Sequence, residues 1–116
     1  MNLYHCMFDL VEDSKALAFA GALESWMTLL KDRGTVQNWR LLRMKLNLGA
    51  DCCRDFLLEV EVTDLGQLDQ AFRLVGSKDD AVAEAYGRVH AMVGQVQYGL
   101  YRPFPDPERA ERMALL

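Results

Sequence analysis

The chain has 116 residues, 51% of them hydrophobic and 26% charged, and a net charge of −4. That length suits one domain with a core of its own. Basic residues number 13 against 17 acidic ones and form no run of five or six, so no phosphate-tracking surface and no nucleic-acid partner are expected. Three cysteines, with Cys52 and Cys53 adjacent, argue against a disulfide framework. The start, MNLYHCMFDL, lacks a basic n-region and a small-residue cleavage site and reads as a first strand rather than a signal peptide. No apolar run approaches the roughly 20 residues of a membrane span, so no membrane partner is expected. The expectation is a cytoplasmic protein with free thiols.

Residues 2–10 alternate as a strand. Tyr4, Cys6, Phe8 and Leu10 point one way, and Leu3, His5, Met7 and Asp9 the other. Asp13 or Ser14 is placed to cap a helix with apolar positions Ala16, Phe19, Ala20, Leu23, Trp26, Met27 and Leu30, the spacing of one buried face. Gly34 closes it in a left-handed conformation. Residues 36–62, VQNWRLLRMKLNLGADCCRDFLLEVEV, then read as a hairpin. In its first strand Leu42, Met44 and Leu46 share the face expected to meet the helices, with Trp39, Leu41, Arg43 and Lys45 opposite. In its second strand Phe56, Leu58, Val60 and Val62 form the apolar face, with Leu57, Glu59 and Glu61 opposite. Asn47 to Cys52 supplies the turn, and Gly49 is free to take positive φ.

Asp64 caps a second helix with buried positions Leu65, Leu68, Phe72 and Val75. Gly76 interrupts it. Ser77 with Asp80 resembles a capping box, reopening a helix whose stripe is Val82, Ala85, Tyr86 and Val89, up to Gly94. Residues 95–102 form the last strand, with Val96, Tyr98 and Leu100 on one face and Gln97, Gly99 and Tyr101 on the other. Pro103, Pro105 and Pro107 stop further pairing. One domain is therefore expected over residues 1–102, followed by a Pro-rich arm or short helix over 103–116.

The order β-α-β-β-α-α-β predicts an α+β, ferredoxin-like fold: a four-stranded antiparallel sheet with its helices on one face. The other face would hold Leu3, Met7, Trp39, Leu41, Leu57 and Tyr101 among its charges, more apolar surface than a lone monomer commonly shows as one patch. A two-fold homodimer with packed sheets is the economical solution. It makes Trp39, Leu41, Arg43, Lys45, Leu57, Glu59 and Glu61 the expected dimer interface.

Two segments, WRLLRMKLNLG and RDFLLEVEVTDLGQLDQAF, set in this element order, carry a resemblance. Over residues 2–102 the chain resembles the dimeric α/β-barrel superfamily, whose subunits are ferredoxin-like and pair through their sheets. It is also similar to an uncharacterised group of small proteobacterial proteins of unknown function. The superfamily includes cofactor-independent oxygenases of quinol-type substrates, small isomerases and dehydratases, haem-degrading enzymes and proteins with no known activity. Many of its enzymes use a pocket between sheet and helices. The resemblance thus implies a bacterial homodimer, and fold alone does not choose the chemistry.

Among individual residues, His5 is the first candidate for a general acid or base, since histidine exchanges protons near neutral pH. Arg43 or Tyr101 would orient an anionic or phenolic group beside it. The competing reading makes His5 a structural histidine in the dimer interface. His90, one position past the stripe residue Val89, is read as a surface or pocket-rim residue. Cys6, Trp26, Tyr86 and Tyr98 would wall an aromatic ligand pocket, or simply form core. Metal binding has little support, because the two histidines lie 85 positions apart and no cysteines have C-x-x-C spacing. No phosphate loop, Rossmann glycines or nucleophile elbow is present, and no cofactor is expected. The leading functional expectation is a small, largely apolar or aromatic ligand, with a cofactor-independent oxygenase or isomerase-like reaction as its enzymatic form. The alternative is a non-enzymatic dimeric interaction or regulatory module.

Overall fold

The computed structural model describes residues 1–49 and 53–105. Cys52 and the arm from residue 106 onward lie outside the described residues. Strand β1 (Asn2–Leu10) leads through a short 3-10 turn into helix α1 (Ala16–Asp32). Strands β2 (Asn38–Arg43) and β3 (Phe56–Val62) follow, then helices α2 (Leu65–Val75) and α3 (Asp80–His90), and finally β4 (Val93–Tyr101). The sheet order is β2-β3-β1-β4, with every neighbouring pair antiparallel. This is the ferredoxin-like arrangement that the element order predicts.

The core lies on one side of that sheet. Phe8 of β1 and Phe56, Leu58, Val60 and Val62 of β3 meet Phe19, Leu23, Trp26, Met27 and Leu30 of α1 and Val82 and Val89 of α3. Phe8 stacks on Phe56 at 5.5 Å between ring centres and meets Phe19 edge-on at 5.3 Å. Burying such rings stabilises by about 1.5–3 kcal/mol each, which makes this cluster the main reason the helices sit on this face. Gly34 ends α1 at φ 74°, the left-handed geometry expected of it.

Strand β2 faces the other way from its expected orientation. Its register pairs Trp39 with Val60, Leu41 with Leu58 and Arg43 with Phe56. Residues opposite one another in an antiparallel pair share a face, so the core face of β3 carries Trp39 and Leu41 with it. Both pack against the core. The sequence pattern misleads here because Met44 and Leu46 continue the apolar phase of Leu42 beyond the end of the strand. The strand ends at Arg43, and an alternating pattern read one residue out of phase turns every side chain over. Trp39, Leu41 and Arg43 are therefore not outer-face residues, and Lys45 lies past the strand.

Several helix ends also differ from expectation. Neither Asp13 nor Ser14 caps α1, which is entered through the 3-10 turn without a side-chain cap. Asp64 does cap α2, its carboxylate accepting from Gln67 N. The cap of α3 is Asp79, which accepts from Ala81 N and Val82 N, while Ser77 donates back to Leu74 O. Arg33 also reaches Asp79 at 2.8 Å. Leu65 and Phe72 of α2 are about half exposed instead of buried. The buried corner is Gln67, whose amide donates to Gly34 O at 2.9 Å and accepts from Thr63 N at 2.8 Å. α2 is tethered by this polar clamp, so part of its apolar stripe stays off the sheet. Helix α3 ends at His90, and Gly94 lies inside β4.

Candidate functional site

Incomplete cover of the sheet leaves a cavity of about 370 Å³ between it and the helices. β1 contributes Tyr4 and Cys6, two residues apart and so on one face; β4 contributes Tyr98 from the same face, paired with Cys6 in register. Trp26 comes from α1, Phe72 from α2, and Tyr86 and His90 from α3. Of the pocket residues expected from the sequence, Cys6, Trp26, Tyr86 and Tyr98 all line this one space. The well-exposed lining residues Phe72, Tyr98 and His90 mark its mouth.

Two aromatic clusters bound the cavity. Tyr4 stacks on Tyr98 at 5.9 Å and meets Phe72 edge-on at 5.7 Å. Across the space, Trp26 lies 5.7 Å from Tyr86, whose ring stacks on His90 at 5.2 Å. Tyr86 Oη lies 3.4 Å from His90 Nδ1, a long hydrogen bond within one helical turn. No Lys, Arg, Asp or Glu lines the cavity among the described residues.

Three of the polar side chains lining it, Cys6, Tyr4 and Tyr98, are held in their neutral form. Burial pushes the Cys6 thiol up to about 12, only partly offset by its hydrogen bond with Tyr4. Burial, then the neighbouring Cys6 and Tyr98, pushes the Tyr4 phenol well above the usual tyrosine range. Tyr98 is raised as well, by burial first and then by Cys6 and Tyr86. These mutual influences place the thiol and three phenols within electrostatic reach of one another.

His5 does not reach this cavity. It lies on the opposite face of β1, where Nε2 donates to Glu59 Oε2 at 2.9 Å. Glu59 Oε1 also accepts from Arg40 Nε at 2.8 Å. Partial burial works against the Glu59 charge, and the hydrogen bonds from Arg40 and His5 outweigh it, holding the carboxyl below its usual range. Tyr101 joins this group, its ring 4.7 Å from that of His5. Gly99, opposite His5 in the ladder, makes room: a Cβ there would come within 3.2 Å of the Tyr101 ring.

His5 and Tyr101 are thus brought together and Arg43 is not. Arg43 sits over the Phe56 ring at 5.1 Å and bonds Asp13 at 2.8 Å. Arg40, the actual partner of Glu59, escaped sequence reasoning. Correct hairpin phasing would have found it, since Arg40 and Glu59 are register partners. Tyr4 lines the cavity too, and its phase on β1, shared with Cys6, is the signal that places it there. The i, i+4 spacing of Tyr86 and His90 was a readable signal that the two share a helix face.

The family model that covers residues 1–116 is the family of unknown function DUF6614. The chain belongs to that family. No curated protein matches it. Among solved structures, it is similar to a protein of Arabidopsis thaliana at 7% identity and a TM-score of 0.72, with 89% of this chain and 95% of that one covered. It is also similar to a dimeric ferredoxin-like protein of unknown function from Jannaschia at 13% identity and TM-score 0.63, covering 89% and 100% of the chains. A dabb family protein with a ferredoxin-like fold from Mesorhizobium loti matches at 20% identity and TM-score 0.61, covering 88% and 95%. At these identities the likeness establishes the fold. No helix among the described residues is long and apolar enough to cross a membrane.

Proposed function

We propose that this protein is a homodimer that binds a small, largely apolar or aromatic molecule between its sheet and its helices. The observation that carries the reading is the cavity of about 370 Å³ walled by aromatic rings. Small-molecule sites commonly span roughly 300–1,000 Å³ with apolar walls and a few polar groups, which is the character of this one. A cofactor-independent, isomerase-like or oxygenase-like reaction is its enzymatic form.

The outer sheet face supports the dimer. Leu3, Met7, Leu42, Leu57 and Tyr101 share it with Glu61 and with the Arg40–Glu59–His5 group, in which Glu59 is already paired. A second copy packed on this face would cover that surface, and the Jannaschia structure is described as dimeric. The same group favours a second reading, a non-enzymatic dimeric module, because His5 is engaged in the sheet and away from the cavity.

The test is thermal denaturation with 2-naphthol and 2-tetralone as neutral bicyclic probes, together with sedimentation of the free protein. A concentration-dependent rise in Tm with at least one probe, and a dimer at micromolar concentration, are expected. A monomer whose Tm is unmoved by either probe would sink the reading. A dimer unmoved by both would favour the non-enzymatic module.

A further inference from the structure

We propose that the cavity is an acid–base site for an uncharged ketone or phenol, with His90 as its proton acceptor and Tyr86 as the residue that positions it. The inference rests on the cavity being a ligand site and adds what that ligand is and what happens to it.

The ligand's charge follows from the walls. Among the described residues, no cation lines the cavity to balance a carboxylate or phosphate, and no anion lines it to hold an ammonium. Burial that keeps a thiol and phenols protonated opposes an incoming negative charge in the same way. What the walls offer is flat aromatic surface and neutral hydrogen-bonding groups. The Tyr4 hydroxyl, on the sheet side, is hydrogen-bonded with Cys6; with the Cys6 thiol donating to it, its own proton is left for one carbonyl or hydroxyl oxygen.

The proton acceptor follows by elimination. Two histidines occur in the chain. His5 is on the other side of the sheet, bonded to Glu59. Cys6, Tyr4 and Tyr98 are held protonated. Among the described residues His90 brings the one imidazole to the cavity, the side chain most often used as a general base. Tyr86 fixes the His90 ring by stacking at 5.2 Å and by the 3.4 Å approach of Oη to Nδ1. With Nδ1–H donating to Oη, Nε2 keeps its lone pair.

The step is a keto–enol proton shift. Nε2 removes a hydrogen from the carbon next to the carbonyl. The C–H electron pair becomes the C=C bond, and the C=O π pair moves to oxygen, which accepts a hydrogen bond from Tyr4. The imidazolium then returns its proton to that oxygen, giving the enol. Atoms and electrons balance without an oxidant or reductant.

The experiment uses 2-tetralone, whose C1 hydrogens exchange with D₂O through the enol, followed by NMR at neutral pH, with binding measured in parallel by thermal shift. The protein should speed exchange about 100-fold over buffer, the lower end for a positioned base. His90→Gln should bring exchange close to buffer while 2-tetralone affinity stays within about threefold. Imidazole added to His90→Ala should restore part of the rate. Tyr86→Phe should keep binding, slow exchange and displace its pH profile, which a merely structural role would leave in place. 2-Naphthoate should not bind where 2-naphthol does. Saturable binding of 2-tetralone with exchange at the buffer rate, or full rate in His90→Gln, overturns this inference and leaves ligand binding standing. Binding of 2-naphthol without 2-tetralone does the same. Failure of both neutral probes to bind overturns the two together.

Discussion

Alkylation of Cys6 reports directly on whether the cavity is a dry, apolar space. The thiol is moved from an ordinary 9.0 to about 12 because burial opposes the thiolate. At pH 8 that lowers the reactive thiolate fraction about 1,000-fold relative to the unfolded chain. A more basic thiolate is intrinsically more nucleophilic, by about 0.4–0.5 log units per pKa unit, which returns about 16- to 32-fold. The net expectation is alkylation about 30- to 60-fold slower than in urea, before any restriction of access. The assay is iodoacetamide labelling followed by mass spectrometry of the peptide bearing Cys6. Its pH profile separates ionisation from access: the native rate should keep rising about tenfold per pH unit through pH 10, where an ordinary thiol has levelled off. A native rate within a few-fold of the unfolded rate, or a plateau near pH 9, would refute the reasoning and make the space wet.

The same thiol sets a pH dependence of stability. Because its folded value is raised, the unfolded chain loses the proton first, so stability is full below pH 9.0 and falls by about 1.4 kcal/mol per pH unit toward pH 12. Urea titrations of wild type and Cys6→Ala should differ in slope over that range and agree below it. Strand β2 gives a second test: Trp39 packs on the core while Leu42 is 43% exposed on the other face. Trp39→Ala should cost about 2 kcal/mol, half the value for a fully buried ring, or roughly 8 °C in Tm, and Leu42→Ala under about 0.5 kcal/mol in urea unfolding of the monomer. Equal losses would return β2 to its opposite orientation. At the proposed dimer face, Glu59→Lys removes the carboxylate shared by Arg40 and His5, sets a second cation beside Arg40, and should raise the dimer dissociation constant at least about tenfold by sedimentation. Arg43→Glu, whose partner is Asp13 on the helix side, should leave that constant within about threefold.

The sequence made the central strands legible because β1 and β3 each have one continuous apolar face, Tyr4 to Leu10 and Phe56 to Val62, which admits only one orientation. It misdirected at β2, a six-residue edge strand with apolar residues in both phases. Trp39 and Leu41 argued for one face, Leu42, Met44 and Leu46 for the other, and only the end of the ladder at Arg43 decides between them. The pocket walls Cys6, Trp26, Tyr86 and Tyr98 could be listed from periodicity, since strand and helix faces that turn toward each other are the ones that enclose space. Whether that space is filled was not legible, because it depends on where α2 settles. The Gln67 clamp to Thr63 and Gly34 fixes that position, and a glutamine on an exposed-looking helix gives no such sign in a pattern of apolar residues. His5 looked catalytic for its residue type and central strand. Its phase on β1, shared with Leu3 and Met7, already placed it on the face away from the helices.

The most direct test of the cavity as the ligand site is a set of intermolecular NOEs from bound 2-tetralone in isotope-labelled protein. One molecule per chain should show contacts to Tyr4, Trp26 and Tyr98, which come from β1, α1 and β4 and all line this space. Contacts to His5 and Tyr101 instead, or none at saturating probe, would contradict the account.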